Sequence, residues 1–300
     1  MECVICGFFI REQKQARHLP RFLRCPNCTG YVTVEREVVV YPEAYFTEEM
    51  TDQKKSGLFS PLFDFFLWLR FRQVAYWMRS REGTILDYGC GDGRLVAYLK
   101  NKELLVEGYD PSPGAVLLAQ KRGFSVFGVV PDKKYDMIMF WHSLEHTETP
   151  LKYIEEITQH LRPDGRVLIA VPNGDCLEAR LALESWFCYD WPFHRVHLTP
   201  KALSTLLQKT GFRILSVSHF NLEYTVSSLA QTFLNLFLPK NALYSFVAAR
   251  RSTVGMVKLY SYSVASLVIL IIFSPILLLF FIVAVITKRT AAFIVVAERA

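Results

Sequence analysis

Three glycines at alternate positions, Gly89, Gly91 and Gly93, constrain the fold of this 300-residue chain more than any other feature. They lie between a short apolar run (84–88) and a segment with helical periodicity (92–101), a pattern that predicts a strand, a tight turn and a helix. Glycine tolerates positive φ and lacks a side chain, so its backbone can approach a ligand closely. The free N–H groups of the following helix suit an anionic group. The turn predicts a ligand site, with an ordinary tight turn in an unrelated α/β protein as the alternative.

The central region repeats this alternation of strand and helix. The predicted strands, all short apolar runs, are 84–88, 104–109, 124–128, 135–141 and 166–171. The predicted helices are 92–101, 112–122, 149–161 and 199–210, the last with Thr199 as N-cap. A proline and a glycine within 161–165 are expected to separate a helix from a strand. The alternation predicts an α/β fold with a parallel sheet between two layers of helices.

An acidic residue, Asp110, follows the second predicted strand. In nucleotide-binding folds a carboxylate at that place accepts hydrogen bonds from the ribose hydroxyls. The turn reads D-x-G-x-G-x-G from Asp87, which differs from the G-x-G-x-x-G pattern around the pyrophosphate of a dinucleotide. The spacing therefore favours a nucleoside cofactor without a pyrophosphate.

Several separated stretches resemble class I S-adenosylmethionine-dependent methyltransferases. ILDYGCGDGRL (85–95) looks like their first motif and GYDPSP (108–113) like their second. Residues 135–173 and 191–214 are similar to the subgroup that contains ubiquinone-type O-methyltransferases and bacterial enzymes of sugar and lipid assembly. The resemblance covers roughly two thirds of the chain. It implies a Rossmann-like, seven-stranded sheet whose last strand is antiparallel, with S-adenosylmethionine at the carboxyl ends of the strands.

The resemblance also implies which residues bind the cofactor. Gly89, Cys90 and Gly91 would line its methionine part through backbone atoms, in the turn that Gly93 completes. Asp110 would hold the ribose.

Three further residues around the cofactor are carried over from the same motifs. Pro111 would lie near the adenine, Asp87 would orient the turn or meet the amino group, and Trp141 would lie near the transferred methyl group. Such enzymes often have an acid after the third strand. This chain offers only Asp132 there, somewhat late.

A hydroxyl acceptor requires a base, and histidine is the obvious one near neutral pH. The candidates, which follow or precede predicted elements at the cofactor end of the sheet, are His142, His146, His194 and His197. Ubiquinone-type enzymes have two glutamates and a histidine that hold a divalent cation in the corresponding stretch. This chain keeps Glu145 and His146 but has His142 in place of the first acid, so the resemblance does not carry a catalytic metal over. Alternatively, these histidines only brace loops through hydrogen bonds.

Four cysteines near the N-terminus form two C-x2-C pairs, Cys3 with Cys6 and Cys25 with Cys28, separated by eighteen residues. This spacing is typical of a structural zinc site with tetrahedral thiolate coordination. We therefore predict a zinc ribbon over residues 1–40, whose folding depends on the ion. Nucleic-acid binding by its basic residues is the alternative. Of the other cysteines, Cys90 is expected to be a small residue in the cofactor turn, and Cys176 and Cys188 are expected to be packing residues.

Residues 264–286 contain no charged side chain over 23 positions, which is long enough to cross a membrane. Because the final apolar stretch resembles the family's last strand, both ends of this segment should lie on one side. We therefore predict a re-entrant or interfacial helical hairpin bent at Pro275, with a straight span as second choice. It would form an insertion at about 221–290 of a domain that covers 81–300. Residues 41–80 are expected to form an amphipathic helical lead-in that caps the cofactor site or rests on the membrane.

Net charge is +6, and many cations, among them Arg70 and Arg72, flank the apolar segments, which favours an anionic membrane surface. The N-terminus has no secretory signal, so the expected location is the cytoplasmic face of a membrane, as in the bacterial inner membrane. Together these features predict methylation, preferably on oxygen, of a membrane-associated or lipid-linked acceptor. The alternatives are a methyltransferase of nucleic acid or protein and a non-catalytic scaffold.

Overall fold

The computed structural model describes residues 1–11, 15–34, 60–247 and 256–300. The predicted end of the zinc ribbon (35–40) and the first half of the helical lead-in (41–59) lie outside the described residues.

Eleven strands occur within these ranges: β1 Gln15–Ala16, β2 Leu19–Arg24, β3 Tyr31–Thr33, β4 Thr84–Tyr88, β5 Leu105–Tyr109, β6 Val126–Phe127, β7 Tyr135–Trp141, β8 Leu161–Pro172, β9 Val196–His197, β10 Phe212–Ser218 and β11 Ala292–Arg299. The described α-helices are α1 Ser60–Trp77, α2 Arg94–Lys100, α3 Pro113–Lys121, α4 Pro150–Thr158, α5 Leu177–Ala182, α6 Pro200–Lys209, α7 Leu222–Leu234, α8 Ala242–Val247 and α9 Met256–Ile286.

The main sheet has seven strands in the order β10-β11-β8-β7-β4-β5-β6. Its strands are parallel except for β11, which runs antiparallel to both of its neighbours, β8 and β10. The predicted α/β fold with an antiparallel last strand is confirmed. The strand order reverses between β4 and β7, and ligands of open α/β sheets bind outside the carboxyl ends of the strands at such a point.

Strands β4 and β7 occupy the predicted residues, whereas β8 begins five residues earlier than predicted, at Leu161. Tyr135 pairs with Leu161 but Met137 pairs with Arg166, so the register shifts within β8. Such an irregularity accommodates proline and glycine inside a strand. We expected 161–165 to lie between a helix and a strand. The helix does end before these residues, but they belong to β8, so the predicted start of the strand is wrong.

Residues next to α6 in the sequence determine where this helix begins and ends. Thr199 Oγ1 accepts a hydrogen bond from Ala202 N at 3.0 Å, so Thr199 caps the helix as predicted. Gly211, which follows α6, has φ +83°, a conformation that favours glycine. α4 ends at Thr158, three residues before the predicted end.

The cysteine-rich head shares a sheet with the body. Strands β1, β2, β3 and β9 form a second, antiparallel sheet in that order. Within it, Tyr31 of β3 lies opposite His197 of β9, and Val32 lies opposite Val196. The head is thus continuous with the body through main-chain hydrogen bonds, which the sequence did not predict.

The apolar C-terminal segment is helical, but the prediction of a helical hairpin within 264–286 is wrong. α9 is one continuous helix with Pro275 in its interior. The chain turns back before α9 instead. Phe220 and Phe233 pack against Phe281 and Phe273, with ring centroids 6.3 and 5.2 Å apart, so α9 returns antiparallel to α7. A path that leads out along α7 and back along α9 brings the last strand to the sheet without a bend at the proline.

Helix α1 is the described part of the predicted lead-in. Its Val74 is fully buried, and Leu67 and Phe71 pack against the apolar cluster on one face of the main sheet. Leu62 and Phe65 stay exposed at its other end. α1 therefore lies against the sheet through its C-terminal half.

Candidate active site

The glycine turn after β4 has the backbone that its sequence predicts. Gly89, Gly91 and Gly93 have φ values of +78°, +56° and +74°, which side chains rarely allow. A Cβ at Gly89 would also lie 2.5 Å from Cβ of Ser143, so glycine is required there for space as well. The turn is fixed to β5, because Gly89 N and Cys90 N both donate to Tyr109 O, at 2.7 and 3.0 Å.

Asp110, at the end of β5, lies directly against this turn. Its Oδ2 accepts a hydrogen bond from Gly91 N at 2.8 Å, and its Oδ1 accepts one from Ser112 N at 2.9 Å. Burial raises the pKa of Asp110, while the two N–H donors favour its ionised form. The structure therefore brings together the two sequence features that define the predicted cofactor site. Pro111, next in the chain, is exposed, as is Asp132.

Asp87 lies beneath the turn and is 2% exposed. Its Oδ1 has no hydrogen-bond partner among the described residues. Burial raises its pKa to about 7, although the nearby Arg70 guanidinium opposes this shift. A cationic group in the site would favour the ionised form of Asp87. The side chain of Cys90 fills the space above Gly108, where a Cβ would be 2.5 Å from Sγ of Cys90.

Trp141 ends β7 and is 9% exposed, with Nε1 lacking a hydrogen-bond partner in the described part of the chain. The guanidinium carbon of Arg70 lies 5.3 Å from the centre of its ring. Arg70 also donates to both carboxylate oxygens of Glu223, at 2.9 and 2.5 Å. The expectation that Arg70 flanks a membrane is therefore wrong: it joins α1 to α7 over Trp141. The sequence marks Arg70 as a cation within an apolar helix. It does not indicate the partner, Glu223, which is 153 positions away in the chain.

The histidines after β7 and before α6 converge at the same end of the sheet. His142 has φ +54°, and its ring stacks on Tyr224 with centroids 3.4 Å apart. The rings of His146 and His194 lie 4.6 Å apart, although the two residues are 48 positions apart in the chain. Tyr224 on α7 was not predicted, because no local pattern marks an aromatic residue that stacks on a distant histidine.

Glu145, His146 and His194 each offer a ligand atom within 4.8 Å of the others. Glu145 is 1% exposed, and neither of its carboxylate oxygens accepts a hydrogen bond from another described residue. Its Oε1 lies 3.4 Å from Nδ1 of His142. Burial of an ionised carboxylate without hydrogen-bond donors is energetically unfavourable. The cluster is therefore suited to bind a proton or a cation.

Burial sets the charge of this cluster. It raises the pKa of Glu145 to about 8 and lowers the pKa of His146 to about 3 and that of His194 to about 4. Nδ1 of His146 faces Phe193 O at 3.2 Å, and Nδ1 of His194 faces Cys188 O at 2.8 Å. With Nδ1 protonated against a carbonyl oxygen, Nε2 is the nitrogen of each neutral ring that carries the lone pair for a proton or a cation.

His197, the fourth candidate, borders this cluster, with its ring centroid 5.6 Å from that of His194. It is 1% exposed in an aromatic cluster, with the rings of Phe22 and Trp186 at 4.6 and 5.2 Å. It belongs to the contact between head and body. The structure therefore brings all four candidate histidines into one region, with His197 on the side of the head.

The four head cysteines form one buried cluster. Sγ of Cys3 is 3.8 Å from that of Cys28, and Sγ of Cys6 is 3.7 Å from that of Cys25, which is too far for a disulfide. All four sulfurs lie within 4.8 Å of one another. The hydrogen bond from Cys28 lowers the pKa of Cys3 to about 5, whereas burial raises that of Cys25 to about 11. Four buried sulfurs at these separations fit a tetrahedral thiolate site.

The remaining cysteines are free. Cys176 and Cys188 are buried, and Sγ of Cys176 accepts a hydrogen bond from Ala179 N at the start of α5. Their burial agrees with the predicted packing role.

Comparisons with known proteins agree with this architecture. A family model described as a methyltransferase domain matches residues 64–217. The ubiquinone biosynthesis O-methyltransferase of Rickettsia typhi is 29% identical over 100 residues, which cover 30% of this chain and 41% of that protein. A probable S-adenosylmethionine-dependent methyltransferase of Mycolicibacterium smegmatis is 24% identical over 159 residues, or 49% of this chain and 60% of that protein. The chain thus spans about half the length of these curated relatives.

Solved structures share the fold. A putative sarcosine dimethylglycine methyltransferase from Galdieria sulphuraria gives a TM-score of 0.52 at 13% identity, over 79% of this chain and 86% of that one. A SAM-dependent methyltransferase from Archaeoglobus fulgidus gives 0.50 at 17% identity, over 82% and 97% of the two chains.

Proposed function

This chain belongs to the methyltransferase-domain family, whose model matches just over half of its residues, and from that premise we propose that it methylates an oxygen of a membrane-associated acceptor. The similar proteins of Mycolicibacterium smegmatis and Archaeoglobus fulgidus are described as S-adenosylmethionine-dependent, which supports this compound as the methyl donor. The observation that carries the proposal is the 2.8 Å hydrogen bond between Gly91 N and Asp110 Oδ2, which joins the glycine turn to the ribose-binding carboxylate.

The donor's chemistry fits the residues of this cleft. When bound, S-adenosylmethionine supplies an electrophilic methyl group on a sulfonium cation. Gly89, Cys90, Gly91 and Gly93 would hold its methionine part through backbone atoms, and Asp110 would accept the ribose hydroxyls. The free Oδ1 of Asp87 suits an ammonium group.

Two further residues would border the ends of the cofactor. Exposed Pro111 would lie beside the adenine, and Trp141 would form the wall near the methyl group. Arg70 holds the face of Trp141, so the lead-in helix α1 would help to close the site.

For proton removal we propose His146 or His194, with His142 beside them. Both rings are neutral at pH 7, because burial holds the pKa of each well below that value. A base with so low a pKa is weak by itself. Ionisation of Glu145, whose pKa burial raises to about 8, would place a negative charge beside the rings and strengthen them as proton acceptors.

A divalent cation is a second use for the same residues. Glu145, His146 and His194 provide one carboxylate and two imidazoles within 4.8 Å, and the unpartnered oxygens of Glu145 favour a ligand there. Such an ion would acidify a bound acceptor hydroxyl. Metal content distinguishes the two roles: Glu145→Gln would lower it only if a cation is bound.

The membrane part of the proposal rests on α9. Ser261–Ile286 is long and apolar enough to cross a membrane, and the structure buries little of it. Ala292, shortly after α9, pairs with Pro172 at the carboxyl end of β8. The apolar helix therefore joins the sheet at the edge that carries the cofactor turn. An acceptor at a membrane surface, such as a lipid-linked small molecule, would be close to the site.

For the cysteine cluster we propose a structural zinc ion held by Cys3, Cys6, Cys25 and Cys28. We also retain the division into a ribbon (1–40), a lead-in (41–80) and a domain (81–300) with its insertion at about 221–290.

The decisive experiment measures S-adenosylmethionine binding by calorimetry and then methyl transfer to membrane extracts. Binding that Asp110→Ala abolishes is expected, and no binding by the wild type would favour a non-catalytic scaffold. His146→Ala and His194→Ala should lower turnover far more than cofactor affinity. Unchanged turnover in both would exclude them as bases. Activity restricted to a water-soluble acceptor or to RNA would contradict the membrane-associated acceptor.

A further inference from the structure

Helix α9 packs on the protein along one side. Ser266 and Ala284 are 0% and 2% exposed. The ring centroid of Phe273 lies 5.2 Å from that of Phe233 and 6.2 Å from that of Phe237. With about 3.6 residues per turn, positions 266, 273 and 284 fall on the same side of the helix. The opposite side exposes apolar side chains, among them Leu267, Ile271, Leu278 and Ile282.

The helices that carry α9 are themselves bound to the body of the protein. In α7, Ser228 Oγ donates to Glu178 Oε2 at 2.6 Å, and Thr232 Oγ1 accepts a hydrogen bond from Phe187 N at 3.0 Å. In α8, the ring centroid of Tyr244 lies 5.2 Å from that of Phe187. Helix α9 therefore follows the surface of the protein. If it crossed a bilayer with α7 and α8 beside it, these polar groups would enter hydrocarbon, which is unfavourable.

The exposed side of α9 is suited to hydrocarbon at its centre. Pro275 has no N–H, so the carbonyl oxygen of Ile271 lacks its usual helix donor. The hydroxyl of Ser274 donates to Ile271 O instead, at 2.8 Å. Water could satisfy an exposed carbonyl oxygen, but hydrocarbon cannot, so a lipid-facing helix needs such a bond within the protein. Residues 264–286 also contain no charged side chain that lipid would have to accommodate.

We propose that α9 lies in the plane of a membrane, with its exposed side in the acyl chains of one leaflet, and does not cross the bilayer. Interfacial helices insert about 5–10 Å, which is less than one leaflet's share of a hydrocarbon core about 30 Å thick. The inference rests on the proposed membrane association and deepens it. Both ends of α9 would stay on the side of the membrane that holds the cofactor site.

The first test labels introduced cysteines in the full chain, in sealed inside-out vesicles from the membranes of expressing bacteria. Ser261→Cys and Thr287→Cys place a thiol at exposed positions on either end of the apolar stretch. A membrane-impermeant maleimide added outside should label both to a similar extent, above the wild-type background. Leu278→Cys, on the exposed side, should be labelled only after detergent is added. Protection of Ser261→Cys alone would indicate a straight span and overturn the proposal, as would ready labelling of Leu278→Cys.

The second test concerns the carbonyl oxygen of Ile271 and uses sedimentation with phosphatidylcholine vesicles. Ser274→Ala removes its donor and should weaken vesicle binding at least about fivefold, because the oxygen would enter hydrocarbon unpaired. The matched control is Ser274→Ala with Pro275→Ala, which supplies a backbone N–H to the same oxygen and should restore the affinity. Equal affinity of all three proteins would mean that water reaches this oxygen and would overturn the proposal.

S-adenosylmethionine affinity checks that each variant is folded, and Ser263→Cys replaces Ser261→Cys if that variant fails the check. A straight span would leave the proposed membrane association intact and remove only the single-leaflet arrangement. A wild type that forms a stable dimer in solution and ignores vesicles would mean that a second copy covers the exposed side of α9. That result would overturn both this inference and the membrane-associated acceptor, while methyl transfer to a soluble acceptor would stand.

Discussion

The cysteine-rich head and helix α9 both lie outside the stretch that matches the methyltransferase family, yet they meet the rest of the protein in opposite ways. The head joins the body through the strand pair β3–β9. It adds the hydrogen bonds from Lys209 Nζ to Cys6 O (2.9 Å) and between the hydroxyls of Thr29 and Thr199 (2.9 Å). α9 has few buried residues, such as Ser266 and Ala284, while most of its apolar side chains are exposed.

This difference indicates where each region acts. The head holds the segment that carries His194: Thr33 N donates to Arg195 O at 3.2 Å, and Arg195 N donates to Glu145 O at 2.8 Å. A metal in the head would therefore stabilise the candidate active site. α9 offers its apolar surface to something outside the protein. The free energy of unfolding should therefore depend strongly on the head and weakly on α9.

The largest effect is expected from Cys25→Ser in the head. Loss of one thiolate should release the zinc ion and lower the free energy of unfolding by at least about 4 kcal/mol, as metal loss typically does. Denaturant unfolding and mass-spectrometric zinc content measure this. Cys188→Ala, which changes a buried cysteine outside the cluster, should keep the zinc. If Cys25→Ser lost its zinc without a loss of stability, the proposed stabilising role of the head would be wrong.

A smaller effect is expected from Thr33→Pro. It removes the N–H that donates to Arg195 O and should cost about 1–3 kcal/mol of stability. Turnover should fall about tenfold as His194 moves away from Glu145, with S-adenosylmethionine affinity unchanged. Thr33→Ala keeps the N–H and serves as the control. Equal activity of the two variants would mean that the head does not position the site.

The pH dependence of stability also distinguishes the two regions, because residues 264–286 contain no ionisable side chain. Comparison of wild type with Glu145→Gln assigns the part that is due to Glu145. Its pKa is about 8 in the folded protein and about 4.3 in an unfolded chain, so the folded state binds the proton more tightly. Stability from this group is present at low pH and is lost as pH rises through about 8. Between about pH 5 and 8, wild type should lose at least about 1 kcal/mol relative to Glu145→Gln. The depressed pKa values of His146 and His194 act in the opposite direction but are common to both proteins. If the stability of wild type and of Glu145→Gln changed with pH in the same way, the raised pKa of Glu145 would be refuted.

The smallest effect on stability is expected in α9. Replacement of exposed Leu267, Ile271 and Leu278 by Ser should change the free energy of unfolding by no more than about 0.5 kcal/mol. Vesicle binding should fall more than about 100-fold, because each buried Leu or Ile contributes roughly 1.5–3 kcal/mol. Ala284→Asp on the packed face should instead cost about 1–3 kcal/mol of stability. If the triple variant unfolds readily, α9 is part of the core.

Much of the fold was predictable because its signals are local. The φ values of Gly89, Gly91 and Gly93, the cap at Thr199 and the four cysteines each depend on residues a few positions apart. The hairpin at Pro275 was predicted wrongly for a physical reason. A proline removes one helix hydrogen bond, which a long apolar helix tolerates, and the chain reverses between α7 and α9 instead.

The sequence by itself determined the strand, turn and helix of the cofactor site, the acid that follows it and the sulfur ligands of the head. The tertiary structure decided the rest: the pair of Arg70 with Glu223, the approach of His194 to Glu145 and His146, and the pairing of the head with β9. Backbone conformation and ligand spacing depend on neighbours in the chain. A contact between residues far apart in sequence depends on how whole elements pack, and no local pattern encodes it.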